Sequence, residues 1–153
     1  MVRRVVAVLA LTLLVAGALW YGQRPPRSLE AYRVRAEETA GALLSQARTA
    51  DLLADAVATG RVTHGTAVVT VEEVAVDAQR TSARFTGWDP PAQAEGLQQQ
   101  LSRLAEQTGA SLTADRIAVH RGSWSSLPGS AARRQPLESE LTELIGQLQN
   151  GAR

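Results

Sequence analysis

His64 and His120 are the only histidines in the chain, and histidine is the side chain best suited to ligate a metal or move a proton near neutral pH. A persuasive metal site places a second ligand three or four residues away. Neither histidine has one: His64 lies in VTHGTA and His120 in AVHRG. Both read as solvated residues, His64 in a turn and His120 at a strand end. The serines of Ser123-Trp124-Ser125-Ser126 follow Gly122. A nucleophile elbow needs glycines two before and two after its serine on a strand-to-helix turn, so this reads as a serine-rich loop. Glu72, Glu73 and Asp77 form a small acidic cluster, and paired carboxylates do acid–base work when their surroundings split their pKa values. Adjacent residues on a strand point to opposite faces, so Glu72 and Glu73 do not converge. No catalytic, cofactor-binding or metal-ligating residue follows from these patterns, and a non-enzymatic protein without a cofactor is expected.

Partner recognition is the remaining chemistry. Exposed tryptophan is enriched where partners bind, and Trp88 and Trp124 both flank loops. Leu137, Leu141, Leu144 and Leu148 recur at helical spacing near the C-terminus. These six residues are the candidate partner-binding set. The alternative is that the tryptophans cover the ends of a small core and the leucines pack within it.

The elements that carry these residues begin with a helix at 28–60. Ser28 is placed to cap it, Leu29, Ala36, Ala40, Leu43, Ala47, Ala50, Ala54 and Val57 form one stripe, and Gly60 is the stop. A stripe so rich in alanine buries little area per residue, which suggests a stalk that packs closely on a partner helix. Residues 61–122 read as a small α+β domain. Val69 and Val71 alternate, then Val74 and Val76 alternate after a slip at Glu72-Glu73 that a β-bulge would produce. With Thr81, Ala83 and Phe85 after a turn at Asp77-Ala78-Gln79, this predicts a β-hairpin. The competing reading sets Val71, Val74, Ala78 and Phe85 on one helical face and implies an all-α, membrane-anchored bundle. Asp89-Pro90-Pro91 opens a helix bearing Leu97, Leu101, Leu104, Ala105 and Thr108 and ending at Gly109. Ile117 and Val119 then alternate in a third strand stopped by Gly122. Residues 123–135 read as a loop, and Pro136 opens the last amphipathic helix, 136–150.

Residues 5–21, VVAVLALTLLVAGALWY, contain no charge. A membrane span needs about 17–25 mostly apolar residues. Trp20 and Tyr21 suit the interface, Arg3 and Arg4 precede the run, and Arg24 and Arg27 follow it. Residues 1–4 read as a cytoplasmic tail, 5–22 as a transmembrane anchor and 23–27 as a Pro/Arg linker, leaving the remainder extracytoplasmic. Ala16-Gly17-Ala18 supports the alternative of an exported soluble binding protein released by cleavage after Ala18.

Charge agrees with an anchor. Residues 1–27 hold four arginines and no acid, whereas 28–153 hold twelve arginines and fifteen acids, a net of −3. The positive surplus lies where it meets anionic lipid headgroups, and with no basic stripe beyond it a nucleic-acid partner is not expected. The absence of cysteine excludes disulfides and thiol chemistry. All sixteen basic residues are arginine, a bias expected of a GC-rich bacterial genome.

The predicted order of anchor, stalk helix, hairpin, helix, strand and helix resembles the layout of the bitopic inner-membrane alignment subunits of type II secretion and type IV pilus machines. That resemblance rests on architecture alone. It implies a small ferredoxin-like domain and a role as an accessory or scaffolding subunit of a bacterial cell-envelope complex. The implied partners are the lipid bilayer and other membrane or envelope proteins, met through the alanine-rich helix.

Overall fold

Four helices account for nearly all of residues 28–150, which are the residues the computed structural model describes. They are α1 (Leu29–Ala58), α2 (His64–Thr86), α3 (Glu95–His120) and α4 (Leu127–Asn150). Short 3₁₀ turns at Ala92–Ala94 and Trp124–Ser126 lead into α3 and α4. The expected membrane span at 5–22 lies outside the described residues, as do Arg3, Arg4, Trp20, Tyr21, Arg24 and Arg27. Among the described residues no helix is long and apolar enough to cross a membrane.

The helices run alternately up and down. Tyr32 near the start of α1 meets Phe85 at the end of α2 with ring centroids 5.7 Å apart, and Gln149 at the end of α4 donates to Glu37 at 2.8 Å. Helix α1 packs on all three others, whereas the backbones of α2 and α4 do not approach one another closely. The short connections of an up-down bundle enforce this neighbour order.

The loops at one end of the bundle follow from two glycines. Gly60 and Gly122 have φ of +66° and +72°, a region open to glycine without steric cost. Arg61 N–H reaches the Ala56 carbonyl at 2.8 Å and Gly60 N–H the Val57 carbonyl at 3.1 Å. Ser123 and Gly122 repeat the pattern on Ala118 and Val119 at 2.8 and 3.0 Å. These are Schellman closures, which satisfy carbonyls orphaned at a helix end. Thr63 then caps α2 by accepting from Thr66 N–H, as Ser28 caps α1 by accepting from Ala31 N–H.

The three-stranded sheet expected within 61–122 is absent from the described residues: that segment is two helices. In α2 the buried side chains are Ala67, Val71, Ala75, Ala78 and Phe85, a step of three to four. Val69, expected to share a face with Val71, is 57% exposed. The burial available on one helical face outweighs the β preference of valine and threonine, which is itself largely a matter of packing context. The third strand is the last part of α3, which runs through Gly109 without a break. The ferredoxin-like layout that suggested secretion and pilus alignment subunits loses its basis with the sheet.

The loop expected at 123–135 is also corrected. Helix α4 starts at Leu127, with Pro128 in its first turn where no amide donor is needed. Pro136 sits inside the helix instead of opening it.

The alanine stripe of α1 faces inward. Ala36, Ala40, Ala47, Ala50 and Ala54 are all buried, so the expected stalk is one wall of the bundle, and its partner helices are α2, α3 and α4. The core has a leucine-rich end, where Leu43, Leu101, Leu104, Leu141 and Leu144 pack around Tyr32 and Phe85. Each fully buried leucine contributes about 1.5–3 kcal/mol. At the other end Leu53, Val71, Val119 and Leu127 form a second cluster. Between the two lies a narrow layer of Ala50, Ala75, Ala78 and Leu112, whose small side chains leave room for something larger from α4.

Candidate functional site

Arg134 fills that room. It is the largest fully buried side chain in the described bundle, with 0% exposure. On α4 the residues Leu127, Ser130, Arg134, Leu137, Leu141, Leu144 and Leu148 recur at steps of three and four, so Arg134 holds a core position of a heptad-like stripe. On α3 the same spacing runs through Leu101, Ala105, Thr108, Leu112, Asp115 and Val119, all buried. A cation and an anion therefore face inward from neighbouring helices at matching depth.

The guanidinium is held from two sides. Its Nε and Nη2 both donate to Asp51 Oδ1 on α1, at 2.8 and 2.5 Å. Its Nη1 donates to Asp115 Oδ2 and lies 3.3 Å from Ser111 Oγ on α3. Asp115 is 2% exposed, and its Oδ1 has no hydrogen-bond partner. A buried charge is tolerated only when paired and hydrogen-bonded, and here α1, α3 and α4 each supply a member of one network.

One turn further along α4, Glu138 faces the same seam. Its Oε2 stands 3.9 Å from Arg48 Nε, and its Oε1 is buried without a hydrogen-bond partner. Burial raises the Glu138 carboxyl above the ordinary glutamate value. The neighbouring Asp51 carboxyl raises it further, while Arg48 and Arg134 oppose the rise. Over this seam lies a wide, shallow groove of about 590 Å³ lined by Arg48, Gln135, Glu138, Ser139, Thr142 and Glu143. The network beneath is closed, because every nitrogen of Arg134 already meets a protein oxygen. Its chemistry is that of a polar lock which sets the depth of α4 against α1 and α3.

The candidates named from sequence lie elsewhere. His64 opens α2 and stacks on Trp124 with centroids 4.2 Å apart and rings 4° from parallel. His120 closes α3 and lies 3.3 Å from Glu72, which also accepts from Arg116 at 3.4 Å. Glu73 is exposed and Asp77 pairs with Arg80 at 3.3 Å, so the acidic cluster does not converge. Ser126 Oγ donates to the Ser123 carbonyl at 2.7 Å within its 3₁₀ turn. Among the described residues no group of three or more His, Cys, Asp or Glu side chains is placed to hold a metal ion.

Of the candidate partner-binding residues, Leu141, Leu144 and Leu148 are buried in the core, and Leu137 packs against it. Trp88 is half-buried, edge-on to Phe85 at 6.1 Å, with the Arg35 guanidinium 5.8 Å from its ring centroid. Trp124 packs on the second cluster. The bundle itself thus occupies the leucine stripe and covers much of both rings.

The network of Asp51, Asp115, Arg134 and Glu138 does not figure among the candidates drawn from sequence. Its signal is present as charged residues at core positions of two heptad-like stripes. Reading Pro136 as a helix start cut the α4 stripe at Leu137 and removed Arg134 from it. Comparison of the chain with protein-family models, curated proteins and solved structures finds no match.

Proposed function

We propose that the chain is a membrane-attached, non-enzymatic docking subunit of a bacterial cell envelope. Residues 5–22 lie in the bilayer in this reading, and the four-helix bundle projects on the extracytoplasmic side as the docking piece. The observation that carries the reading is the uncharged run at 5–21 with arginines on both flanks, followed within seven residues by the cap of α1 at Ser28. Seven residues can span at most about 24 Å, so in this reading the end of the bundle bearing Ser28, Trp88 and Gln149 stands close to the headgroups. The outer face of α1 offers a contact point: Leu52 is 72% exposed, on the side opposite the alanine stripe.

Carbonate washing of native membranes tests the attachment. The full chain is expected in the pellet, with the bundle digested by protease added from the extracytoplasmic side. Release into the wash, with a mature N-terminus at Leu19, favours the exported soluble binding protein instead. A photo-crosslinking residue at position 52 tests docking. It is expected to yield a discrete adduct with another membrane or envelope protein, and no adduct at that position in native membranes would remove the α1 face from the proposal.

A further inference from the structure

The lock around Arg134 contains one carboxyl group more than its cations balance. Asp51 and Arg48 face the seam from α1, Asp115 from α3, and Arg134 and Glu138 from α4. Glu143 lines the rim of the groove, and no side chain of α2 is among the hydrogen-bond or ion-pair partners of this network. With every group ionised, the seam holds three carboxylates against two guanidiniums. Arg48 is the weaker of those two partners, being 59% exposed and 3.9 Å from Glu138, beyond hydrogen-bonding distance.

Two observations locate the excess charge. Glu138 Oε1 is buried with no donor facing it, one helical turn from the residue whose guanidinium grips Asp51. Both Arg134 donors on that side converge on Asp51 Oδ1. Two carboxylates in contact cannot hydrogen-bond unless one carries a proton, and a buried oxygen without a partner is costly.

We propose that Glu138 and Asp51 share one proton across the seam between α1 and α4, making this seam a proton-responsive joint that tightens on proton uptake. The proton converts Glu138 from an unsatisfied buried acceptor into a donor to Asp51 and brings the seam to charge balance. The direction of the Glu138 shift agrees: burial and Asp51 both favour its protonated form. A carboxyl whose folded-state pKa lies above its unfolded value binds more protons in the folded state. The stability contributed by this carboxyl is therefore fully present below the ordinary value of 4.5 and is lost as pH rises through the raised one. The proposal is independent of membrane attachment, since it rests on contacts inside the bundle.

Unfolding equilibria of the full chain in mild detergent, compared with Glu138→Gln between pH 5 and pH 8, test it. Glutamine mimics the protonated acid with a permanent donor toward Asp51. The unfolding constant of the parent chain relative to the variant is expected to rise with pH, by roughly tenfold for each unit by which the carboxyl is shifted, and then to level off. A ratio that stays flat across this range overturns the proposal. Should the variant fail to fold, carboxyl carbon-13 titration of the parent chain decides the matter. One glutamate titrating clearly above the rest supports the joint, and all glutamates titrating together in the ordinary range overturn it.

Discussion

Arg134 on α4 grips Asp51 on α1 through two nitrogens on one oxygen, at 2.8 and 2.5 Å, from a side chain with no solvent exposure. The contact spans the most extensive helix–helix seam in the bundle. It is joined on the far side by Asp115 of α3, so one guanidinium fixes three helices at a common depth. Apolar stripes alone tolerate sliding by a heptad, whereas a charged residue at a core position has one register in which its partners are in reach.

Replacing Arg134 with methionine leaves Asp115 and part of Asp51 charged and unpaired in the interior, a change that costs about 3–5 kcal/mol. The loss is expected as a lower denaturant midpoint for the full chain in mild detergent. Adding Asp115→Leu removes the more deeply buried orphan and should recover most of the loss, because well-packed apolar replacements of buried ion pairs are often neutral or stabilising. A double variant as unstable as the single one would show that the cost comes from packing volume and not from charge.

How far the sequence discloses this arrangement depends on which signal competes at each segment. Helix α1 is legible: its cap Ser28, its alanine stripe and its stop Gly60 all appear in the structure where the spacing puts them. Its neighbours are not, because an alanine stripe fits an external partner as well as it fits the walls of its own bundle. At α2 a high density of valine and threonine imitates a strand, and the decisive feature is the inward set Ala67, Val71, Ala75 and Ala78, in which three of the four residues are alanines with little hydrophobic signal. Gly109 and Pro136 are helix breakers by propensity, yet both lie within helices whose packed faces outweigh a local penalty of a few kcal/mol at most. Misplacing Pro136 had the larger consequence, since it hid Arg134.

Two glycines should respond in opposite directions to the same substitution. Gly60 has φ of +66°, where an alanine Cβ is strained, and Gly60→Ala is expected to cost about 1–2 kcal/mol. Gly109 lies in regular helix with nothing within 4 Å of an added Cβ, so Gly109→Ala is expected to gain up to about 1 kcal/mol. Thermal midpoints of the two variants provide the comparison. A destabilised Gly109→Ala would mean that α3 needs the flexibility of glycine there.

Pro136 removes an amide donor from the interior of α4, leaving the Ala132 carbonyl without its helical partner. Both residues are exposed, so water can satisfy that carbonyl and soften the penalty. Pro136→Ala is expected to raise stability by about 1–3 kcal/mol, less than or equal to the full proline penalty. Amide exchange along α4 should slow at the same time. Unchanged exchange and stability would show that the helix is already relaxed around the proline.

At the glycine-closed end, the stack of His64 on Trp124 ties the start of α2 to the turn that enters α4. The backbones of these two helices do not approach one another closely, so the stack is a side-chain link between the start of α2 and the turn before α4. Trp124 also packs on the cluster of Leu53, Val71, Val119 and Leu127. Trp124→Ala is therefore expected to cost more than the stack itself, about 2–3 kcal/mol for a half-buried ring. His64 is exposed, and His64→Ala should remove little besides the ring contact. A double-mutant cycle isolates that contact, with a coupling of about 0.5–1.5 kcal/mol expected for stacked rings. A coupling indistinguishable from zero would mean that the two rings meet without holding the helices together, and that Trp124 serves only as a lid on the core beneath it.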